Sequence, residues 1–69
     1  MMQADEIRDL SVDEILSRLD DTREELMNLR FRSATGELTD TNQMRTTRRL
    51  IARLLTVLQE KEREVEGEA

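Results

Sequence analysis

Apolar side chains recur at alternating steps of three and four residues along two stretches of the chain. In the first stretch this line, which we call the seam, comprises Val12, Ile15, Leu19, Thr22, Leu26, Leu29 and Ser33. Such a heptad pattern predicts a helix that packs its apolar side against a partner helix. Ser11 and Glu14 have the spacing of a capping box, and Gly36 can adopt the left-handed backbone that often ends a helix. We therefore predict a first long helix at about residues 12–34.

The seam resumes in the second half of the chain. Its members there are Met44, Thr47, Ile51, Leu54, Leu58 and, at the far end, Val65. Asp40, with Gln43 three residues later, indicates the start of a helix at about residues 41–62, ahead of an acidic tail that runs to residue 69. Because a turn of only about residues 35–39 joins the two helices, we expect them to lie antiparallel with their seams in contact.

The predicted fold is all-α: one domain over residues 1–69, built as a long antiparallel two-helix hairpin, coiled-coil-like, with a short N-terminal helical turn. The absence of proline, the two glycines and the single aromatic residue suit long helices. A second apolar stripe, about a quarter turn from the seam, comprises Leu16, Met27, Phe31 and Ala34. We expect Ile7 and Leu10 to fold back and cover Leu16. Phe31 is either covered in the same way or open to a neighbouring protein or an RNA base.

The charges are segregated along the chain, although the net charge of −5 alone argues against a nucleic-acid partner. Residues 1–27 hold nine acids and three arginines, residues 28–58 hold two acids and six arginines, and residues 59–69 hold five acids and two bases. A basic middle therefore lies between acidic ends.

The arginines of the second helix fall on one side. At about 100° per residue, the side almost opposite the seam carries Arg45, Arg48, Arg49, Ala52, Arg53 and Thr56. Guanidinium groups bind phosphate oxygens through a planar fork of donors, and Arg30 and Arg32 are expected to extend the patch at the turn. A charged face kept only for solubility is the alternative, but such a face usually mixes signs, whereas every charge between Thr41 and Gln59 is positive. The residues alone leave both interpretations open.

Several kinds of site are disfavoured. Cysteine and histidine are absent, which removes disulfides, thiolate and imidazole metal ligands, and the nucleophile–base pairs that use them. The alternating acids that begin at Glu60 lack the glycine turn and the Asp/Asn spacing of a calcium loop. No apolar run is long enough for a signal peptide or a membrane span. We expect no catalytic residue, metal, cofactor, small-molecule substrate or membrane partner.

Four segments together resemble the bacterial large-subunit ribosomal protein twenty-nine family. They are residues 6–14 (EIRDLSVDE), 24–32 (EELMNLRFR), 34–38 (ATGEL) and 48–58 (RRLIARLLTVL), in the order and spacing of that family. Arg30, Arg48, Arg49 and Arg53 match the family's basic positions, and Asn28, Phe31 and Thr56 match other motif positions. The chain departs from the family in having one lysine and acidic ends. Met27 also stands where a phenylalanine is common.

The resemblance implies a structural constituent of the large ribosomal subunit that supports translation in the cytoplasm. It implies contact with ribosomal RNA near the polypeptide exit tunnel, with a neighbouring exit-site ribosomal protein, and with chaperones or targeting factors that dock there. It implies no catalysis. Arg32 and Arg45 are added to the expected RNA-binding set from the charge pattern.

Two other functions compete with this hypothesis. A coiled-coil protein-interaction module would self-associate through the seam and the stripe of Leu16 and Phe31, and its association would not depend on salt. A small helical enzyme similar to chorismate mutases would need cationic groups that point inward around a dianionic substrate, whereas the arginines here point away from the seam.

Overall fold

The computed structural model describes residues 2–37 and 41–68, which form three helices. They are α1 (Ala4–Arg8), α2 (Val12–Ala34) and α3 (Asn42–Glu68), and the described part of the chain contains no strand. α2 packs along α3, and α1 lies mainly against α3, which gives a rod of 50 × 17 × 14 Å. The predicted all-α hairpin with a short N-terminal helical turn is confirmed. α3 continues six residues beyond the predicted end near residue 62, so the acidic tail is helical as far as Glu68.

Both ends of α2 are fixed by local hydrogen bonds. The Ser11 hydroxyl accepts from the Glu14 amide at 3.2 Å and donates to the Glu14 carboxylate at 3.1 Å. The Glu14 side chain therefore reaches the serine hydroxyl and not the serine amide that a full capping box uses. At the other end Gly36 has a φ of +81°, the Gly36 amide donates to the Ser33 carbonyl and the Glu37 amide donates to the Arg32 carbonyl. This is the Schellman arrangement that glycine permits.

The main core lies at the end of the rod that carries α1. Its buried members are Ile7, Ile15, Leu19, Leu54, Val57 and Leu58. Towards the turn the buried residues of α2 continue as Thr22, Leu26 and Leu29, and Thr47 of α3 is also buried. The hydroxyls of Thr22 and Thr47 donate to the carbonyls of Arg18 and Gln43, four residues earlier, so these buried polar groups are satisfied within their own helices.

Two residues were wrongly assigned to the seam. Ser33 is exposed on the last turn of α2, and Val65, near the end of α3, is 65% exposed. Val57, outside the predicted seam, is buried. It lies seven residues after the half-buried Leu50, on the side of α3 that meets α1.

The expectation for the second apolar stripe was also wrong. Ile7 is fully buried, but it packs into the core cluster with Leu54 and Val57 and does not cover Leu16. Leu16 is 42% exposed and Phe31 is 69% exposed. Ile7 could pack against either of two apolar surfaces. The groove between the long helices contacts Ile7 on several sides, whereas the outer stripe would contact it on one side, so packing in the groove buries more apolar surface. The expected helix start at Asp40 lies outside the described residues.

Candidate nucleic-acid interface

α3 presents the arginines on the outward side of the rod. We call Arg45, Arg48, Arg49 and Arg53 the arginine face. The first three are exposed and Arg53 is half-buried. From Arg45 to Arg53 the face extends about 12 Å along the helix axis, at about 1.5 Å per residue. Ala52, also exposed, adds little bulk between these side chains, so a polymer backbone can approach the helix closely.

The guanidinium groups of Arg45, Arg48 and Arg49 form no hydrogen bond or ion pair with any residue that the structure describes. The opposite situation holds for Arg8 in α1. Arg8 donates from Nη1 to Asp5 at 2.9 Å, and from Nε and Nη2 to the two carboxylate oxygens of Glu60 at 3.2 and 3.4 Å. The hydrogen bond and the negative charge of Glu60 raise the pKa of Arg8. Arg8 is thus used within the fold, whereas the exposed arginines of α3 keep their donors available.

Two predicted site residues are partly engaged within the chain. Arg53 donates from Nη1 to the Met2 carbonyl at 3.3 Å, which holds the N-terminal segment against α3. A guanidinium has five N–H donors, so most of those of Arg53 remain free. The exposed Thr56 hydroxyl donates to the Ala52 carbonyl at 2.8 Å and so offers only acceptor lone pairs outward. Since phosphate oxygens are acceptors, Thr56 in this rotamer does not donate to a phosphate.

Arg30 and Arg32 are exposed on the last turns of α2 but point in different directions. Two residues correspond to about 200° around a helix. Arg32 lines an open groove of about 500 Å³ together with Asn42, Gln43 and Thr46 at the start of α3. Arg30 does not line this groove. Arg32 therefore lies beside the first turns of α3, and Arg30 points about 200° away from it around α2.

The charges of the two long helices relate differently to their dipoles. α2 has Asp13 and Glu14 in its first turn and Arg32 in its last, the arrangement that stabilises a helix. α3 has no acid in its first turn and no basic residue in its last. Arginines near its positive end therefore add to the positive potential there, which favours an anion more than it favours the helix itself.

The described residues show few other candidate sites. Among residues 2–37 and 41–68, no group of three or more acidic side chains is arranged to hold a metal ion. Over the same ranges no helix combines the length and the apolar character needed to cross a membrane. The contacts of α1 with Glu60 and Lys61 have no signal in the sequence, because residues more than 50 positions apart leave no periodic pattern.

Comparison with known proteins identifies the family. The family model described as ribosomal L29 protein matches residues 5–61. The chain is similar to large ribosomal subunit protein uL29 of Rubrobacter xylanophilus, at 56% identity over 63 residues that cover 91% of this chain and 94% of the relative. The protein of the same name from Staphylococcus aureus strain JH9 is 52% identical over 88% of each chain. That of Frankia alni is 46% identical over 94% of this chain and 73% of the relative. The resemblance found in the sequence motifs is confirmed, and the chain belongs to the ribosomal L29 protein family.

Proposed function

We propose that this protein is a structural constituent of the large ribosomal subunit in the cytoplasm and that its arginine face binds ribosomal RNA. The observation that carries the proposal is the exposed row of Arg45, Arg48 and Arg49, whose guanidinium groups have no partner among the described residues. The names of the relatives support the location in the large subunit. A position near the exit tunnel, beside an exit-site protein and the chaperones and targeting factors that dock there, rests on family resemblance.

The contributions of individual residues differ. Arg45, Arg48 and Arg49 are proposed as the main phosphate ligands, with Arg32 at the turn and Arg30 on the adjacent side of α2. Arg53 contributes the donors that Met2 does not use. The Thr56 hydroxyl is bonded to the Ala52 carbonyl and does not donate to RNA. Thr56 contributes instead through its small size, which leaves space for the RNA backbone. Phe31, 69% exposed near the end of α2, is available to stack on an unpaired base or to contact a neighbouring protein.

A pair of matched double variants tests RNA binding. Arg48→Gln/Arg49→Gln removes two charges from the arginine face, and Arg18→Gln/Arg63→Gln removes two exposed charges elsewhere. Binding of a large-subunit RNA fragment is measured by fluorescence anisotropy as salt is raised. Each lost phosphate contact should reduce the log–log salt slope by about 0.7 to 0.9, so the first variant should lose about 1.4 to 1.8 and the second much less. Equal slopes for the two variants would contradict the proposal.

A second test addresses assembly. Large subunits that lack their own copy of the corresponding protein are mixed with this chain and sedimented. The wild-type chain should sediment with the subunits, and Arg48→Gln/Arg49→Gln should do so less at the same salt concentration. Failure of the wild-type chain to sediment with the particles would count against a place in the subunit.

The two competing functions fit less well. The coiled-coil hypothesis needs a seam that is free to pair with another chain, but Leu19, Leu26 and Leu54 are already buried within this one. Among the described residues, the large apolar side chains that stay exposed are Leu16, Met27, Phe31 and Val65, and they do not form the continuous seam that this hypothesis needs. The enzyme hypothesis is disfavoured because the ribosomal L29 family is one of structural proteins and not of enzymes.

A further inference from the structure

The side of the rod that carries α1 contains an open groove between the three helices. Its volume is about 550 Å³. The floor is mainly apolar: Leu54 is fully buried, and Met2 and Leu50 are half-buried. Thr22 also reaches the floor, but its hydroxyl is bonded to the Arg18 carbonyl, so it offers no free donor. The short helix α1 therefore leaves apolar surface of Met2 and Leu50 uncovered in the groove.

The rim of the groove is negatively charged. It is formed by the exposed side chains of Glu6, Asp21, Glu25 and Arg18. Three carboxylates and one guanidinium leave two negative charges in excess, and none of the four side chains forms a hydrogen bond or ion pair within the described part of the chain. Carboxylates accept hydrogen bonds and donate none. An acceptor-rich rim above an apolar floor complements a long cationic side chain, whose methylene stem packs while its head stays polar.

We propose that this groove binds a lysine- or arginine-containing segment of another protein. The aliphatic stem of one cationic residue lies on Met2 and Leu50, and its charged head lies between Asp21 and Glu25. RNA is a poor occupant because its phosphates would meet the excess negative charge of the rim. The expectation that such a protein lies beside this chain in the large subunit rests on the function proposed above, whereas binding at the groove does not.

The groove and the outer part of the arginine face are separate surfaces. Around α3, Arg45 and Arg48 lie about 140° and about 160° from Leu50. Arg53 is the exception, because it lies about 60° from Leu50 and donates to the carbonyl of Met2, which lines the groove. One side of the rod is therefore suited to an anionic polymer, and another side to a basic protein. The two partners should bind at the same time. The acidic residues that give the chain its negative net charge would then attach the second partner.

The test uses the full chain and a fluorescein-labelled peptide of alternating lysine and alanine. The groove variant is Asp21→Asn/Glu25→Gln. The matched control is Asp20→Asn/Glu24→Gln, which makes the same chemical change one position earlier, on exposed residues outside the groove. Because exposed ion pairs each contribute modestly and the groove variant removes two of them, we expect it to bind the peptide roughly three- to tenfold more weakly and the control to change by less than about twofold.

The apolar floor has its own matched pair. Leu50→Ala shortens a groove-lining side chain, and Leu55→Ala shortens another half-buried leucine of α3 that does not line the groove. With helicity checked by circular dichroism, Leu50→Ala should weaken peptide binding more than Leu55→Ala. Equal effects of the two would overturn the stem-on-floor part of the proposal.

The outcomes separate this proposal from the preceding one. Equal weakening by Asp21→Asn/Glu25→Gln and Asp20→Asn/Glu24→Gln would show attraction to net charge only and would overturn the groove. Displacement of the peptide by RNA would overturn the claim of two surfaces. Self-association of the chain that the groove variant abolishes would make a second copy the occupant. Arg48→Gln/Arg49→Gln should leave peptide binding unchanged, so loss of RNA binding and loss of peptide binding are scored independently.

Discussion

At the α1 end of the rod Arg8 meets two carboxylates, whereas towards the turn Arg45, Arg48 and Arg49 meet none within the described chain. The two ends of the rod also differ in their hydrophobic packing. The α1 end holds the buried cluster that includes Ile7 and Val57, and the part nearer the turn relies on a few leucines and two internally bonded threonines. One residue type thus stabilises the fold at one end and is left available for binding at the other, and its neighbours decide which.

The largest effect should come from breaking the α1 end. Ile7→Ala removes a fully buried side chain from the core cluster and should reduce the free energy of unfolding by about 2 to 5 kcal/mol, measured by urea denaturation. That is a large share of the stability of a small domain. Leu16→Ala is the matched control: because Leu16 is 42% exposed, its loss should be under about 1 kcal/mol.

Equal losses for Ile7→Ala and Leu16→Ala would mean that α1 does not anchor on α3. Variants at the two ends of the rod also test whether RNA binding depends on the arginine face and not on the α1 end. Ile7 is distant from the turn, so residual folded Ile7→Ala protein should retain the salt slope of the wild type, whereas Arg48→Gln/Arg49→Gln should lower the slope without a comparable loss of stability.

Much of the hairpin was predictable because its signals are local or periodic. The cap at Ser11 and the left-handed Gly36 lie within a few residues of the bonds that they form, so their spacing reports the ends of α2 directly. The steps of three and four that include Leu19 and Leu54 report which side of each helix is buried.

The remaining features depend on how α1 docks. Val57 and Leu16 have similar apolar surroundings in the sequence, yet one is buried and the other is 42% exposed, because α1 packs on one side of the hairpin only. A five-residue helix gives too little periodicity to reveal which side it chooses. The arginine face was predictable as a surface, since helix angle and charge both follow from position. The bond from Arg53 to Met2 was not, because it joins residues 51 positions apart.

The turn-ward half of α3 can be examined through its own charge repulsion. Arg49 lies four residues from both Arg45 and Arg53, and like charges at this spacing destabilise a helix by about 0.2 to 0.5 kcal/mol per pair. Arg49→Gln should therefore raise the free energy of unfolding by about 0.4 to 1 kcal/mol at low salt while it weakens RNA binding. High salt should remove the gain in stability.

Arg63 provides the control for this gain. It is an exposed arginine of the same helix, but the sequence has the acidic Glu60 three residues before it and no basic residue three or four positions away. Arg63→Gln should therefore leave stability unchanged or lower it slightly. A loss of stability in Arg49→Gln would indicate a bonding role within the fold and would remove the contrast between the two ends of the rod.

The smallest expected effect concerns the ion pair between Arg8 and Glu60 at the α1 end of the rod. Hydrogen bonds from Arg8, and then its charge, hold the pKa of Glu60 below its ordinary value of 4.5. A carboxyl whose pKa falls on folding stabilises the fold above its unfolded pKa, and this contribution is lost as the pH falls through the folded pKa. Glu60→Gln should therefore lower the urea midpoint slightly at pH 6, and the difference from wild type should shrink as the pH falls below about 4.5.

Glu64→Gln, an exposed neighbour in α3, is the control. Because the Arg8–Glu60 pair lies at the surface, salt should weaken its effect, and a difference that persists unchanged at low pH would show that Glu60 acts through packing and not through its charge.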